Sequence, residues 1–317
     1  MTSLMIIGGS GFFGKSFLDA YRRGLLVPWN VNEITIISRS AANLAYSDPA
    51  LISSSVRLVN LDITTASTLP KADYIIHAAA STDAARYLKR PIEEHRNIQS
   101  SIFNFCKILK DTQLKSKILY TSSGAVYGAQ SEYQELISEE STVGRIEDMP
   151  LVKRDYAKAK RDGELAVQRL GCDGLDVSIA RCFAFVGAFL PLEQHFAIGN
   201  FIEDGLKNRP ILVKNTSRVY RSYMHTDDLV RWLMTIVENS SKSCPIYNVG
   251  SDKAILINDL ATKIGKNFNV PVNVPDFTST LVDRYIPSIK KAKDILGLEI
   301  AIDLDEAIDR TIRLLRV

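Results

Sequence analysis

Residues 4–14 read LMIIGGSGFFG, and this stretch decides the fold. A short apolar run, Leu4–Ile7, is followed directly by glycines at positions 8, 11 and 14, and a helical pattern begins at Lys15. Glycine permits the tight turn between a strand and a helix, and it lets backbone N–H groups approach a pyrophosphate at the helix N-terminus. The glycine spacing in this strand–loop–helix context therefore predicts a dinucleotide-binding unit.

Downstream of the glycine loop, β-rich runs alternate with helical patterns as far as residue 183. The helical patterns fall near residues 91–111 and 153–170. Alternation of this kind predicts a parallel sheet with helices on both faces, which is the doubly wound α/β class of Rossmann type. The β-rich runs are Glu33–Ile37, Val56–Val59, Tyr74–His77, Lys117–Thr121 and Val177–Arg181.

After residue 183 the pattern changes to helical stretches separated by short, isolated β runs. This pattern predicts a smaller and more irregular mixed α/β lobe. We expect a dinucleotide-binding domain of residues 1–183 plus about 211–245, and a substrate-binding lobe of about 184–210 and 246–317. The helical stretches of the second half lie near residues 196–207, 226–238, 257–267, 288–296 and 304–315.

The composition excludes several classes of function. The 317 residues include 39 Lys and Arg and 36 Asp and Glu, a formal net charge of only +3, which argues against a nucleic-acid partner. No apolar stretch reaches the roughly 18–20 residues that span a bilayer, so we expect no membrane partner. The four cysteines are scattered without a C-x-x-C pair, which predicts free thiols in a reducing cytoplasm. No spacing of His, Cys, Asp and Glu predicts a metal site.

The end of the second predicted strand indicates the form of the cofactor. In a dinucleotide fold, an acidic residue at this point binds the 2′-hydroxyl of NAD. Here the strand ends in Ser38-Arg39-Ser40, which contains no carboxylate. Because Arg39 can pair with a 2′-phosphate through a charge-assisted fork, the sequence favours NADP(H) over NAD(H).

A second motif carries acid/base chemistry. Tyr156 and Lys160 are four residues apart in a helical stretch, so they share one face. A phenol with a pKa of about 10 is a poor base at neutral pH, and a nearby ammonium stabilises its phenolate form. Upstream, residues 120–128 read YTSSGAVYG, a strand end that runs into a serine-rich loop. Serines in such a loop can hydrogen-bond a substrate oxygen.

Together with the glycine loop, these residues resemble the extended short-chain dehydrogenase/reductase family of nucleotide-sugar epimerases, dehydratases and reductases. The resemblance covers nearly the whole chain. It also includes residues 61–63, residues 73–79, Asn97, Arg181, residues 221–229 and residues 247–251. The resemblance implies that the smaller lobe binds a nucleotide-diphosphate sugar and that the enzyme serves polysaccharide biosynthesis.

The resemblance also implies roles for individual residues. Ser123 is expected to hydrogen-bond the reacting sugar oxygen, and Tyr156 to act as the acid/base. Lys160 is expected to hold the nicotinamide ribose and to depress the pKa of the tyrosine. The residues expected to bind the cofactor are Gly8, Ser10, Gly11, Phe12, Phe13, Gly14, Ser38, Arg39, Asp62, Ile63, Ala78, Ala79, Ala80, Asn97, Thr121, Tyr156 and Lys160.

Further residues match positions that contact the substrate. Arg221 and Arg284 are expected to pair with the diphosphate, because the guanidinium fork suits phosphate oxygens. His195 and Asn200 lie where the family reads its sugar, and they are expected to contact hydroxyls or phosphate. In contrast, His225 lies in a strand-like run between apolar neighbours, which predicts a core histidine.

The chain departs from the family pattern at two places. The 4,6-dehydratases place Asp-Glu directly after the loop hydroxyl, but this chain has Gly124 and Ala125, which transfer no proton. We therefore expect no 4,6-dehydratase activity. Ala184 and Ala188 replace an Asn and a Pro in the segment that follows Arg181, so substrate contacts of that segment are expected to differ.

The sequence favours an NADP(H)-dependent oxidoreductase that reduces the 4-keto group of a nucleotide-diphosphate sugar. A 4-epimerase with tightly bound NAD is the alternative, because Ser123, Tyr156 and Lys160 serve both mechanisms. A non-catalytic NADP-binding regulatory protein on the same fold is a third reading. The nucleotide base and the sugar stay open. The resemblance implies a homodimer, with the helices near 91–111 and 153–170 forming a four-helix bundle.

Overall fold

The computed structural model describes residues 2–80, 90–112, 115–149, 151–192 and 196–316. The strands are β1 (Thr2–Ile7), β2 (Val31–Ser38), β3 (Val56–Asn60), β4 (Tyr74–His77), β5 (Lys117–Ser123), β6 (Asp176–Cys182), β7 (Phe185–Val186), β8 (Ile211–Leu212), β9 (Arg218–Arg221), β10 (Met224–His225), β11 (Ile246–Val249), β12 (Ile255–Leu256), β13 (Val272–Asn273) and β14 (Val282–Tyr285). The α-helices are α1 (Phe12–Arg22), α2 (Leu44–Ser47), α3 (Pro91–Thr112), α4 (Leu151–Cys172), α5 (Ala197–Leu206), α6 (Thr226–Glu238), α7 (Ile257–Phe268), α8 (Lys290–Leu296) and α9 (Leu304–Leu315). None of the helices described is long and apolar enough to cross a membrane.

The chain divides into two compact units. The first contains Met1–Val126, Arg145–Cys182 and Val230–Tyr247, and the second contains Tyr127–Gly144, Phe183–Leu229 and Asn248–Val317. This division differs from the expected domain boundaries, because residues 127–144 and 211–229 belong to the second unit. Strand and helix patterns do not reveal the unit against which a connecting segment packs, and the binding roles of the two units stay predictions.

The sheet of the first unit is built around β1. Seven strands follow the order β11-β6-β5-β4-β1-β2-β3 in a parallel sheet. Leu4–Ile7 of β1 is almost fully buried, as expected for a strand covered on both faces. In parallel register, Ile7 aligns with Ile37 of β2 and with His77 of β4. β2 and β3 lie on one side of β1, and β4 lies on the other, so the strand order reverses at β1. Ligands of doubly wound sheets bind at such a switch point.

Helices α3 and α4 pack together against the same sheet. Their apolar faces, which include Phe105 of α3 and Val167 of α4, enter a core cluster with Tyr120 of β5. Polar contacts fix the pair, because the Gln99 side-chain amide donates to the Asp162 carboxylate at 2.6 Å. The two helical patterns of the first half are therefore confirmed, and α4 carries the Tyr-x-x-x-Lys motif.

The second unit contains small sheets and short helices, as the sequence predicts for a mixed α/β lobe. The small sheets have the strand orders β12-β9-β14, β10-β7 and β13-β8. Asn248 ties separate segments together, since its Oδ1 accepts from the Tyr127 hydroxyl at 2.8 Å and its Nδ2 donates to the Ile137 carbonyl at 2.9 Å. The Asp228 carboxylate accepts backbone N–H bonds from Ala301 and Ile302, both at 3.0 Å.

Candidate active site

The glycine loop is formed by close backbone packing. Gly8 has φ of 83°, and a Cβ at this position would lie 2.6 Å from the Cα of Ala79. A Cβ on Gly14 would lie 1.9 Å from the carbonyl oxygen of Gly9. Both distances are shorter than any real contact, so only glycine fits at positions 8 and 14.

Gly11 lies at the N-cap of α1 and has a different environment. No side chain among the described residues caps this helix, and its first turn contains no acidic residue. A Cβ on Gly11 would meet only the Gly8 carbonyl oxygen, at an ordinary 3.6 Å. The positive end of the α1 dipole therefore meets no acidic side chain in its first turn, which fits the pyrophosphate of a dinucleotide.

The end of β2 places Arg39 near Asp62. Arg39 is exposed, and the hydroxyl of Ser38 accepts from the backbone N–H of Ser40 at 3.3 Å. Asp62 forms a turn, because its carboxylate accepts from the backbone N–H and the hydroxyl of Thr64 at 2.9 and 2.8 Å. Burial raises the pKa of Asp62, but the Thr64 hydrogen bonds and the Arg39 charge outweigh it and leave that pKa below its usual value.

Other predicted cofactor residues lie at or near the carboxyl ends of the strands. Residues 78–80 follow β4 and are half-buried, whereas the side chain of Ile63 packs in the core of the first unit. Thr121 in β5 is buried, and its hydroxyl donates to the His77 carbonyl at 3.1 Å. Asn97 lies on α3 and is exposed.

Ser123, Tyr156 and Lys160 come together at the carboxyl end of β5. Ser123 is the last residue of β5, and its hydroxyl is hydrogen-bonded to the Tyr156 phenol. The Lys160 ammonium donates to the Thr121 carbonyl at 2.8 Å. Its nitrogen lies 5.8 Å from the ring centroid of Tyr156 and 5.0 Å from that of Tyr120. The Tyr-x-x-x-Lys motif of α4 and the end of β5 therefore form one cluster of side chains.

Burial is the main influence on the pKa values of Tyr156 and Lys160. Burial raises the pKa of Tyr156 to about 12, although the hydrogen bond from Ser123 lowers it. Burial also lowers the pKa of Lys160 to about 8. Desolvation of the phenolate dominates the pKa of Tyr156 in this arrangement, and the Lys160 ammonium is directed at a backbone carbonyl. The depression of this pKa by Lys160 stays a prediction.

The loop after Ser123 supplies no further proton-transfer group. Gly124 and Ala125 begin a 3₁₀ turn, Gly124–Tyr127, and the backbone N–H of Ala125 donates to the Ser123 hydroxyl at 3.2 Å. This contact fixes the Ser123 side chain. The positions that hold Asp-Glu in the 4,6-dehydratases therefore orient the serine and carry no acid or base.

Several buried residues of this cluster have no role predicted from the sequence. Cys182 aligns with Ser123 in the parallel register of β5 and β6, and its thiol interacts with both Tyr156 and Lys160. Beneath them lie Glu164 and Arg181, which form a buried ion pair. The position of Glu164, four residues after Lys160 on one helix face, was the available signal for this pair.

In the second unit, the register of β9 and β14 brings the two predicted phosphate ligands to neighbouring strands. Arg221 pairs with Asp283, with Nη2 2.7 Å from the carboxylate. The Arg284 guanidinium lies 4.5 Å from the ring centroid of Tyr220, and its Nε is buried without a hydrogen-bond partner among the described residues. An unpartnered buried donor in an arginine is consistent with a site for an anion.

The remaining sequence predictions concern two substrate contacts, a core histidine and the cysteines. Asn200 lies in the first turn of α5 and is half-buried, whereas His195 lies outside the described residues. His225 is a core histidine as predicted, because it is buried and its Nδ1 accepts from the backbone N–H of Asp227 at 3.1 Å. All four cysteines are free, and of these only Cys172 is exposed.

Comparison with known proteins identifies the family. A profile described as the NAD dependent epimerase/dehydratase family matches residues 4–250, which is more than three quarters of the chain. The chain therefore belongs to this family, and it is an enzyme of the extended short-chain dehydrogenase/reductase type.

Individual relatives are distant. UDP-glucuronic acid decarboxylase 1 of Arabidopsis thaliana is 25% identical over 314 residues, which cover 98% of this chain and 68% of that protein. UDP-glucuronic acid decarboxylase 1 of Danio rerio is 24% identical over 316 residues, with 98% and 72% covered. The structure of UDP-glucose 4-epimerase from Thermotoga maritima with UDP-glucose has a TM-score of 0.80 at 18% identity, covering 99% of this chain and 98% of that one. This structural likeness shows a common fold.

Proposed function

We propose that this enzyme reduces the 4-keto group of a nucleotide-diphosphate sugar with NADPH. The observation that carries the proposal is the state of Tyr156. Its phenol is hydrogen-bonded to Ser123, and its pKa of about 12 keeps it protonated at neutral pH. A protonated phenol is prepared to give a proton to a substrate oxygen, which is what reduction of a carbonyl requires.

The glycine loop and the strand ends of the first unit would hold the cofactor. The N-terminus of α1, at Gly11, would hold the pyrophosphate, and Asp62 the adenine. Lys160 would bind the nicotinamide ribose. When bound, the reduced nicotinamide supplies the hydride for the carbonyl carbon.

The protein supplies the proton and the electrostatic stabilisation. Ser123 donates a hydrogen bond that polarises the carbonyl of the sugar, and Tyr156 then gives its proton to that oxygen. The resulting phenolate is stabilised by the positive charge of Lys160. Gly124 and Ala125 hold no group that would remove a second proton from the sugar ring.

The second unit supports binding of the nucleotide diphosphate. Arg284 has a buried Nε without a partner among the described residues, and Arg221 lies on the neighbouring strand. We assign both to the diphosphate, because guanidinium groups bind phosphate oxygens in a bidentate manner. His195 and Asn200 are assigned to the sugar hydroxyls or the phosphate.

The preference for NADP(H) is part of the proposal. Arg39 is exposed at the end of β2, and the Ser38-Arg39-Ser40 turn has no carboxylate that would repel a 2′-phosphate. The positive charge of Arg39 helps to lower the pKa of Asp62, the residue assigned to the adenine. A phosphate on the adenosine ribose would therefore meet a cation at this strand end.

A 4-epimerase is the second candidate. Its supporting observation is the same cluster, because Ser123, Tyr156 and Lys160 without a neighbouring carboxylate also suffice for oxidation and re-reduction at one carbon. An epimerase regenerates its own cofactor and retains it tightly, whereas a reductase exchanges it. A non-catalytic regulatory protein is the weakest candidate, since Tyr156 and Lys160 are both present.

One experiment separates these functions. The purified full chain is analysed by mass spectrometry for bound nucleotides, and then assayed with UDP-linked and dTDP-linked 4-keto-6-deoxyhexoses, UDP-glucose and UDP-glucuronic acid. We expect NADPH oxidation with a 4-keto substrate and little tightly retained NAD. Retained NAD with interconversion of UDP-glucose and UDP-galactose would replace the proposal by the epimerase. Release of CO₂ from UDP-glucuronic acid would replace the proposal by a UDP-glucuronic acid decarboxylase activity.

We also predict that the enzyme has no 4,6-dehydratase activity. Gly124 and Ala125 cannot remove and deliver the protons that elimination of water requires. Incubation with UDP-glucose and dTDP-glucose, in the presence of NAD, should yield no 4-keto-6-deoxy product by NMR. Formation of that product at enzymatic rates would contradict the assignment of Tyr156 as the sole acid/base of the site.

The proposal includes a homodimer in the cytoplasm. Phe103 on α3 is 46% exposed and Leu165 on α4 is 55% exposed, although both are large apolar side chains. Exposed apolar residues on two packed helices suit a four-helix bundle with a second copy. Sedimentation of the wild type and of Leu165→Glu would test this, with a smaller species expected for the variant.

A further inference from the structure

A buried ion pair lies one helical turn from the catalytic lysine. Glu164 follows Lys160 by four residues on α4 and is 6% exposed, and Arg181 on β6 is 7% exposed. The Arg181 Nε donates to Glu164 Oε1 at 3.0 Å, and Nη2 donates to Oε2 at 2.7 Å. This two-point geometry fixes the carboxylate plane relative to β6.

A third contact connects the carboxylate to the strand that carries the catalytic serine. The Ser122 hydroxyl donates to Glu164 Oε1 at 2.6 Å. Ser122 lies between Thr121, whose carbonyl accepts from Lys160, and Ser123, whose hydroxyl bonds Tyr156. Glu164 therefore joins α4, β5 and β6 at the level where the catalytic groups meet.

Several titratable groups surround this region. Lys160 is faced by Tyr156 and Glu164 on its own helix. From the sheet it is faced by Tyr120 on β5, Cys182 on β6 and His77 on β4. Among these groups, Glu164 is the one with a carboxylate. Burial has the larger effect and lowers the pKa of Lys160, whereas the negative charge of Glu164 raises it. Glu164 is itself faced by Arg161 and Arg181, and by Cys244 in the segment before β11.

Stability alone is a weak explanation for such a pair. The desolvation of two buried charges offsets most of their attraction, so a buried ion pair contributes little net free energy of folding. The same pair has a strong effect on a neighbouring charge, because a low-dielectric interior screens little. The location of Glu164 beside Lys160 thus matters more than its pairing with Arg181.

We propose that Glu164 is a positioning residue for Lys160, keeping its ammonium charged and directed at the Thr121 carbonyl, while Arg181 and Ser122 hold the carboxylate in place. The inference rests on the proposed function, in which Lys160 acts together with Tyr156. The ion pair of Glu164 and Arg181 then determines the charge state of Lys160.

The test measures the titration of Lys160 directly. The full chain is labelled with [ε-¹³C]lysine, Lys160 is assigned with Lys160→Met, and its Cε shift is followed with pH by NMR. We expect Glu164→Gln to lower the pKa of Lys160 by about 1, because a nearby negative charge favours the charged form of a buried ammonium. We expect Arg181→Met to leave this pKa unchanged or to raise it, since the carboxylate then acts unopposed.

Opposite responses of the two partners distinguish the proposal from a structural role. Loss of packing alone would move the Lys160 pKa in the same direction in both variants. An unchanged Lys160 pKa in Glu164→Gln would overturn the proposal. If that variant does not fold, Glu164→Gln/Arg181→Met is compared with Arg181→Met, so that only the carboxylate differs. Equal Lys160 pKa values in these two variants would overturn the proposal. Glu164→Asp is the conservative variant, and we expect it to recover part of the shift.

Turnover provides the second readout. In Glu164→Gln, kcat should fall at a lower pH on the alkaline side than in the wild type, because Lys160 loses its proton earlier. The two proposals fail separately. Wild-type protein without keto-reductase activity but with the expected NMR shift would refute only the proposed reaction. Keto reduction with an unshifted Lys160 would refute only the role of Glu164.

Discussion

The glycine loop at residues 8–14 and the cluster around Tyr156 lie in the same unit and at the same edge of one sheet, but they use different parts of the chain. The loop is formed by backbone, and its contacts depend on the absence of Cβ atoms at Gly8 and Gly14. The Tyr156 cluster is formed by side chains, with a phenol, an ammonium and an ion pair in a buried environment.

The difference indicates what each region tolerates. A site formed by backbone is disrupted by steric overlap, so one added methyl group can destroy it, whereas distant charges have little effect. A buried side-chain site fails through charge, so a substitution of equal volume can abolish its chemistry and leave the fold intact. The following predictions test this contrast, beginning with the largest expected effect.

We expect Gly14→Ala to prevent stable folding of the first unit. Its Cβ would lie 1.9 Å from the Gly9 carbonyl oxygen, and backbone on both sides leaves no room to move. Overpacking at a rigid site costs about 1–3 kcal/mol or more, a large part of the stability of a typical domain. Soluble yield and thermal unfolding followed by circular dichroism are the measurements.

Gly11→Ala is the matched control for that variant. Its Cβ would meet only one atom, at 3.6 Å, so the thermal midpoint should stay close to wild type. Dinucleotide binding should nevertheless weaken, because the methyl group would project where the pyrophosphate is expected. Equal thermal midpoints for Gly14→Ala and Gly11→Ala would show that close backbone packing does not distinguish the two loop positions.

In the side-chain region, we expect Tyr156→Phe to lower turnover by about 10²-fold or more, the loss typical of a missing general acid. The ring still fills its space, so the thermal midpoint and the affinity for NADPH should change little. Tyr133→Phe is the control, because this tyrosine is 90% exposed and lies outside the cluster. Near-wild-type turnover of Tyr156→Phe would remove the acid/base assignment.

The smallest effect concerns cofactor choice at the end of β2. We expect NADPH to bind about tenfold more tightly than NADH, since a charge-assisted hydrogen bond contributes about 1.5–3 kcal/mol. Arg39→Ala should remove most of this preference by weakening NADPH alone, whereas Arg57→Ala, at an exposed position of β3, should not. Titration calorimetry measures the affinities of the wild type and both variants for each cofactor. Equal binding of both cofactors by the wild type would contradict the role of Arg39.

The strands and helices that position the site were largely predictable from the sequence. The predicted strand Tyr74–His77 has the same bounds in the structure, and the glycine loop follows β1 as expected. Apolar runs between glycines and helical patterns are local signals, so they survive without tertiary information. The assignment of residues 127–144 to the first domain was not supported, because packing of a loop depends on distant residues such as Asn248.

The electrostatics of the site were less predictable. Tyr156 and Lys160 were identified by their spacing, but the direction of the tyrosine pKa depends on burial, which a motif does not encode. Glu164 and Arg181 are separated along the chain and meet only through the register of α4 against β6. A charged residue on the buried face of a predicted helix is the signal that points to such a pair.

The central claim, that this enzyme reduces a 4-keto sugar nucleotide, is tested most directly by following the hydride. The full chain is incubated with NADPH deuterated at both C4 positions of the nicotinamide and with a UDP- or dTDP-linked 4-keto-6-deoxyhexose. We expect one deuterium at C4 of the sugar for each NADPH oxidised, detected by NMR and mass spectrometry. Conversion of nucleotide sugars with no deuterium in the product and no loss of NADPH would contradict it.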